Sequence, residues 1–273
     1  SVICVVLTVL RMLCVTAESS ALPPGRSWAA TRLVTDPRVI SFGTPRLEVD
    51  DQGVPWMVVG AQLGARERRE WWVLAWQDSA WAPGLFSSIV AANFPEAVHS
   101  LTPHRYLIWL TANNAEYEQL LWSEIQPQQI APPETTMNTS AQDSEYSGAA
   151  GEHRRWVARG QQIAPNVSWY PVRVAYSDTA RVWRELPPLG TDEPMCAIAP
   201  LSDSSAIVAY AGQSGLSWSL AEGSAWVRHG TLDPRPWAAY HPRLRLRPSG
   251  GVWLFWTERR QVRIASYRDG EWS

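Results

Sequence analysis

The residues best suited to chemistry in this sequence are arginines, carboxylates and tryptophans at a few distinctive positions. Arg46 and Arg243 each follow a proline at the start of an expected strand, so both could face one channel and bind an anion there. Asp36 begins an Asp-Pro step, where a carboxylate could serve glycoside hydrolysis, a reaction that needs two carboxyl groups beside the bond. Trp109 and Trp169 lie outside the repeated positions, which makes their indole faces candidates for stacking on a sugar ring.

Each of these candidates also has a purely structural explanation. The tripeptide Asp-Pro-Arg that begins at Asp36 recurs at Asp233, and a recurring step favours a turn in which Asp accepts backbone N–H bonds and Pro fixes φ. An arginine at a strand start can simply be solvated, because successive side chains alternate between the two faces. The binding and turn interpretations therefore both stay open at this stage.

Charge and motif content exclude several functional classes. The chain has 273 residues, a formal net charge of -2 and an isoelectric point near 6.2, whereas a nucleic-acid binder normally carries a basic face. Its five histidines show no paired metal-ligand spacing, so no metal is predicted. The sequence lacks a Gly-x-Ser-x-Gly elbow, a Gly-Lys phosphate loop and a dinucleotide fingerprint, so no cofactor is predicted either.

The first residues indicate export. An apolar stretch from Val2 to Val15 resembles the hydrophobic region of a signal peptide, and Ala17 or Ala21 offers a cleavage site. Residues 1–21 are therefore predicted to be a signal peptide, with a secreted or periplasmic, monomeric product and no stable membrane insertion after cleavage. An uncleaved anchor is the alternative, although the run is shorter than the ~20 apolar residues a spanning helix needs.

An internal repeat is the main evidence for the fold. The segment 36–56 matches 233–253 without a gap at an offset of 197 residues. The shared residues are Asp-Pro-Arg at the start, Pro-Arg-Leu in the middle, then a glycine and a tryptophan, which are Gly53 and Trp56 in one copy and Gly250 and Trp253 in the other. A repeat of this kind points to a repeat architecture.

A second pattern gives the number of repeats. After a short strand-like stretch, an aromatic residue is followed two positions later by an acidic one. The pattern occurs at Trp76, Trp122, Tyr176 and Tyr267, and the double gap before Tyr267 places a further member near Trp218. Five units of about 40 to 55 residues result, each built from short strands of period two.

These units predict an all-β protein over residues 22–273. Repeats of this length with about four strands are typical of the blades of a β-propeller. We expect five blades of four antiparallel strands, or six or more if the chain is truncated. The segment 27–32 is expected to supply the outer strand of the last blade, which would remove an open edge. The polar, proline-containing stretch at about 126–155 is expected to be an irregular inserted loop.

The chain resembles the sialidase-like propellers with short sialidase-type repeats. Their Ser-x-Asp-x-Gly-x-Thr-Trp box has its best match at Ser266–Trp272, which is one residue shorter and has Glu271 where the family has threonine. The resemblance implies three arginines around a substrate carboxylate in a sialidase. Five-bladed furanosidase-like hydrolases are similar in blade number and often place a carboxylate at an early Asp-Pro step.

Because the conspicuous residues recur with the repeats, the sequence favours a non-catalytic, lectin-like module. The expected ligand is a carbohydrate or a protein. A glycoside hydrolase and a protein-interaction scaffold are the alternatives.

Overall fold

The fold is described from a computed structural model, in which the residues described are 39–42, 45–49, 53–63, 68–77, 80–87, 96–102, 104–113, 117–126, 130–139, 143–162, 171–178, 182–190, 195–247 and 249–273. These residues form strands and turns and contain no helix. Accordingly, no helix capable of crossing a membrane is found among them. The predicted signal peptide at 1–21 and the outer strand expected at 27–32 lie outside these ranges.

The described strands form five sheets, which are the blades of a propeller. Blade 1 contains β1 (Val39–Phe42), β2 (Arg46–Val49), β3 (Pro55–Leu63), β4 (Arg68–Gln77) and β5 (Ala80–Ser87). Blade 2 contains β6 (Glu96–Ala97), β8 (Arg105–Asn113), β9 (Tyr117–Ile125) and β10 (Glu134–Thr139). Blade 3 contains β7 (His99–Ser100), β11 (Asp143–Ala150), β12 (Arg155–Gln162), β13 (Arg173–Ser177) and β14 (Trp183–Glu185).

Blade 4 contains β15 (Met195–Ser202), β16 (Ser205–Gly212), β17 (Gly215–Glu222) and β18 (Ala225–Asp233). Blade 5 contains β19 (Tyr240–Leu246), β20 (Val252–Glu258), β21 (Gln261–Arg268) and β22 (Glu271–Trp272). All pairings in the five sheets are antiparallel except a short parallel one between β7 and β11. The five-bladed all-β prediction is confirmed.

The innermost strand of each blade lines a central channel. These strands are β2, β6, β11, β15 and β19, and each of the first four lies beside the next. An ion pair between Glu48 on β2 and Arg245 on β19 links the last strand of this ring to the first. Charged side chains lie at or near the starts of four of these strands, where Arg46 faces Glu96 and Arg243 faces Glu145.

The 197-residue repeat corresponds to a structural equivalence of blades 1 and 5. Glu48 pairs with Trp56 between β2 and β3, and the equivalent Arg245 pairs with Trp253 between β19 and β20. The repeated glycines Gly53 and Gly250 have φ of 76° and 85°. Glycine is favoured there because other residues rarely adopt this left-handed conformation.

The aromatic pattern marks the third strand of every blade. Its five members are Trp76 on β4, Trp122 on β9, Tyr176 on β13, Trp218 on β17 and Tyr267 on β21. Trp122, Tyr176, Trp218 and Tyr267 belong to apolar clusters between neighbouring blades, where an aromatic ring buries a large apolar area. The sequence periodicity therefore located the blades correctly.

Neighbouring blades are held together by apolar clusters. Trp56 and Trp109 belong to the cluster between blades 1 and 2, and Trp156 and Cys196 to the cluster between blades 3 and 4. Further clusters join blades 2 and 3 and blades 4 and 5. Within the described residues, blades 5 and 1 share no such cluster and meet at the channel through polar contacts.

The irregular loop expected at about 126–155 is a wrong prediction for about half of that stretch. It contains β10 on the outside of blade 2 and β11 on the inside of blade 3. The small, polar residues of β11 resemble the composition of a disordered loop. In the structure they lie where blades 2 and 3 pack closely, and a Cβ on Gly148 would lie 2.7 Å from Val98. The threonines of β10 suit a strand because their β-branched side chains favour it.

Candidate functional site

The channel between the inner strands contains a polar cleft. Its cavity has a volume of about 40 Å³. The lining includes three residues of β2, three of β19 and single residues of β6, β7, β11 and β15: Arg46, Leu47, Glu48, Arg243, Leu244, Arg245, Glu96, His99, Ser147 and Ala197. Charged groups from three blades, together with His99 from a fourth, thus converge on one small space.

The mouth of the cleft is formed by residues at the starts of inner strands. Arg46 on β2 faces Glu96 on β6 with 3.6 Å between Nη2 and Oε1. Arg243 on β19 faces Glu145 on β11 with 3.5 Å between Nη1 and Oε2. His241 joins the same glutamate through a bond of 2.5 Å from Nδ1 to Oε1. These pairs are partly exposed, so they can meet a ligand from solvent.

The floor of the cleft is a network of three side chains, of which Glu48 and His99 are nearly buried and Arg245 is partly exposed. Glu48 lies 3.3 Å from Arg245 and 3.2 Å from Nδ1 of His99, and its side chain is only 11% exposed. Arg245 donates from Nη1 to Nε2 of His99 over 2.9 Å. Because a guanidinium can only donate, Nε2 must accept, which leaves the proton of a neutral ring on Nδ1, where it is donated to Glu48. The tautomer of His99 follows from its two neighbours.

The carboxyl groups of Glu48 and Glu96 respond in opposite ways to this environment. Burial opposes ionisation of Glu48, but Arg245, His99 and Arg46 outweigh it and hold the pKa of Glu48 below its usual range. Burial raises the pKa of Glu96, and the attraction of Arg243 and Arg46 does not fully offset it. Glu48 is therefore the group that stays ionised, and Glu96 is the group that takes up a proton more readily.

The three arginines of the cleft do not form an open trap for a ligand carboxylate. Arg46, Arg243 and Arg245 each have a carboxylate of this chain within 3.6 Å. Three arginines, the number that the resemblance to sialidases implies, thus line the cleft. Their positive charge is already balanced by glutamates of this chain. The repeated arginines and the glutamates compose one neutralised network.

The predicted site residues have different outcomes. Arg46 and Arg243 do line one channel, although their binding of a ligand stays a prediction. Trp109 is only 3% exposed and packs between blades 1 and 2, which contradicts its predicted contact with a ligand. Asp36 and Trp169 lie outside the described residues.

The turn interpretation of the Asp-Pro-Arg step holds where the structure describes it. The Asp233 carboxylate accepts the backbone N–H of Arg235 at 3.0 Å and is also bound by the Arg235 side chain. These bonds hold the pKa of Asp233 below its usual range. Asp233 therefore has a structural role at the end of β18.

Sequence reasoning missed most of the cleft: Glu48, Glu96, His99, Glu145 and Arg245. A usable signal existed for two of them, since Glu48 and Arg245 stand two residues after the repeated arginines and so share a strand face with them. The other three had no repeat partner to mark them. Only the assembled ring of blades brings them to the channel.

A second group of potential ligands lies on the surface, where the turn before β12 meets the turn before β16. Ligand atoms of Glu152, His153 and Asp203 lie within 4.8 Å of one another, and all three residues are exposed. Asp203 accepts the backbone N–H of Glu152 at 3.0 Å, which joins the two turns. The prediction that the chain uses no metal stays a prediction.

No protein-family model and no curated protein matches the sequence. Solved structures resemble the fold at low identity. The α-L-arabinofuranosidase Arb93A from Fusarium graminearum has a TM-score of 0.57 and 11% identity, over 82% of this chain and 76% of that one. The six-bladed fucose-recognising lectin of Aleuria aurantia has a TM-score of 0.54 and 13% identity, over 84% and 75%. The structural neighbours are thus propeller glycoside hydrolases and lectins, and the sialidase-type repeat stays a prediction.

Proposed function

We propose that this propeller binds a neutral glycan end at the mouth of its central channel. The observation that carries the proposal is the convergence of Arg46, Glu96, Glu145 and Arg243 around one polar cleft open to solvent. Guanidinium donors and carboxyl acceptors held in fixed positions form strong hydrogen bonds to hydroxyl groups. A concave site with a few convergent polar groups is also the usual form of a small-molecule site.

The charge balance of the cleft favours a neutral ligand. Each arginine already faces a glutamate, so an acidic sugar would have to displace one of these carboxylates and leave it without a partner. A sugar hydroxyl can instead share both partners, since it donates to the glutamate and accepts from the arginine.

The size of the cleft favours recognition of a terminal group. A cavity of about 40 Å³ is well below the roughly 300–1,000 Å³ of pockets that enclose drug-sized ligands. The ring of the sugar would therefore rest on the mouth residues, with a single hydroxyl or hydroxymethyl group in the cavity. Ser147 and the Glu48–His99 pair lie at the cleft to receive it.

The structural neighbours give independent support of a general kind. One was solved with arabinobiose, at a TM-score of 0.55 and 12% identity, and the lectin recognises fucose. These ligands belong to those proteins. They make arabinobiose and α-methyl-L-fucoside sensible first probes for this chain.

Calorimetric titration with arabinobiose, α-methyl-L-fucoside and glucuronic acid tests the proposal. We expect one neutral probe to bind and Arg46→Gln or Arg243→Gln to weaken it at least tenfold. Arg173→Gln is the matched control, because Arg173 forms an ion pair with Glu185 on the outside of blade 3. Preference for glucuronic acid would contradict the neutral-ligand proposal, and the absence of any glycan response would favour the protein-interaction scaffold.

Glycoside hydrolysis at the same cleft is a second candidate, favoured by the opposite pKa shifts of Glu96 and Glu48. Carboxyl groups whose environments move their pKa values apart are suited to the acid and base roles. Glu96 would donate a proton to the leaving oxygen, and Glu48 would act as the nucleophile or base. Release of nitrophenol from aryl furanosides, abolished in both Glu96→Gln and Glu48→Gln, would support hydrolysis, whereas binding without turnover would leave the lectin-like function.

We also propose that the chain is exported and works as a monomer. The apolar run from Val2 to Val15 supports export. Sequencing of the mature N-terminus after expression with its leader would show cleavage after Ala17 or Ala21 if this is correct, and light scattering would report the mass of one chain.

A further inference from the structure

His241 makes a contact that bridges two blades that are not adjacent. It lies on β19 of blade 5, and its Nδ1 reaches Glu145 on β11 of blade 3 at 2.5 Å. On the way it crosses the start of β15 in blade 4, where its backbone N–H lies 3.3 Å from the sulfur of Met195. The imidazole therefore lies across the start of β15, the inner strand between β19 and β11.

The backbone of β19 is shaped to hold this side chain over the mouth. His241 has φ of 50°, in the left-handed region that a residue other than glycine seldom adopts. The pairing of β19 with β20 shifts register between Tyr240 and Arg243, which is the sign of a bulge. Bulges of this kind redirect a side chain at a sheet end.

We propose that His241 is a protonation-dependent clasp that covers the channel mouth by binding Glu145 and holds that carboxylate less strongly when the ring loses its charge. The inference rests on the proposed function, because Glu145 and Arg243 are two of the groups assigned to the glycan. While the charged clasp holds Glu145, a ligand hydroxyl must compete with an imidazolium for that carboxylate.

The charged groups around His241 determine the sign of the effect. Glu145 faces it from β11, Arg243 lies on its own strand, and β15 presents only the thioether of Met195. The bond from Glu145 raises the pKa of His241, while partial burial and Arg243 oppose the rise. The imidazole of His241 is therefore charged below the usual histidine pKa of about 6.5. It loses this charge as pH rises through its raised pKa. Ligand affinity should increase over the same interval.

A ligand-free experiment tests the clasp directly. We expect the imidazole signals of His241, identified by their loss in His241→Asn, to titrate at a higher pH in the wild type than in Glu145→Gln. Asparagine is chosen because it tolerates the left-handed backbone. Equal titration in the two proteins would overturn the proposal.

Closure of the mouth can also be measured without a glycan. Carbodiimide coupling of Glu145, followed by mass spectrometry, should be several-fold faster in His241→Asn than in the wild type at pH 6. His104 provides the matched control, because it forms a similar 2.7 Å bond to Glu124 outside the channel. Equal rates at pH 6 would show that His241 does not shield Glu145.

Calorimetry links the clasp to binding. Affinity for the bound probe should rise several-fold between pH 6 and pH 8.5 in the wild type and clearly less in His241→Asn, with His104→Asn behaving as the wild type. A pH dependence as large in His241→Asn as in the wild type would overturn the clasp. If no glycan binds at any pH, the proposed function fails, while the titration and coupling results still decide whether the clasp exists.

Discussion

Glu48 and Arg245 occupy the same position in two copies of one repeat, and their side chains meet at 3.3 Å across the channel. They stand 197 residues apart in the chain, on inner strands whose neighbours are also equivalent. One copy carries an acid and the other a base. Equivalent positions of blades 1 and 5 thus carry opposite charges and form an ion pair. Among the described residues, these two blades share no apolar cluster.

The Glu48–Arg245 pair should show measurable coupling in a double-mutant cycle. Glu48→Gln leaves Arg245 and His99 without their carboxylate and should lower the free energy of unfolding by about 1–3 kcal/mol. The effect of Arg245→Gln should be smaller in the Glu48→Gln background than in the wild type, because the shared interaction is already gone. Urea unfolding of the four proteins measures the coupling, and strictly additive effects would show that the pair contributes nothing.

Glu96→Gln should have the opposite effect on stability to Glu48→Gln at neutral pH. The pKa of Glu96 is raised on folding, so its ionisation above that value costs stability, and a neutral amide avoids the cost. The pKa of Glu48 is lowered, so its contribution is present above the usual value near 4.5 and is lost as pH falls through the lowered value.

Thermal unfolding between pH 3 and pH 8 would separate these two variants. The melting temperature of Glu96→Gln should equal or exceed that of the wild type at pH 7, while that of Glu48→Gln should be lower and should approach the wild type in acid. The same direction of change for both variants at pH 7 would contradict the assigned environments.

Substitution of Trp109 should lower the stability of the fold without changing its affinity for a glycan. Its side chain fills the apolar cluster between blades 1 and 2, so Trp109→Ala should cost about 3–5 kcal/mol. Trp109→Phe retains most of the packing and should bind a glycan with unchanged affinity. A loss of affinity in a folded Trp109→Phe protein would restore Trp109 as a ligand contact.

Cys196 should be inert in the folded protein. Its side chain is fully buried between blades 3 and 4, and burial raises the pKa of the thiol, so little reactive thiolate forms at neutral pH. Peptide mapping after alkylation should find Cys196 modified only when denaturant is present. Rapid modification in buffer would show that blades 3 and 4 separate easily.

The repeats were predictable because blade packing imposes the same demand at each blade. Gly53 and Gly250 recur since both turns need a left-handed residue, and Trp56 and Trp253 recur on the second strand of their blades. The function-bearing candidates were less predictable. The sequence predicts Trp109 as a ligand contact because it does not recur, yet its side chain packs between blades 1 and 2.

The misassigned stretch at about 126–155 has a related cause. Several residues of β11 are small because blade 2 packs closely against this strand, and small polar residues also characterise flexible loops. Gly148 satisfies the first demand, since any side chain there would strike Val98. Local composition cannot separate the two cases without the neighbouring blade.

The sequence by itself determined the architecture, the number of blades and the equivalence of Arg46 with Arg243, because each of these repeats along the chain. Only the tertiary structure decided that Glu96, His99 and Glu145 join those arginines in one cleft. The physical reason is closure of the ring. It brings strands that are distant in sequence within reach of a single ion pair, and the cations around each carboxyl group then determine which of the two takes up a proton more readily.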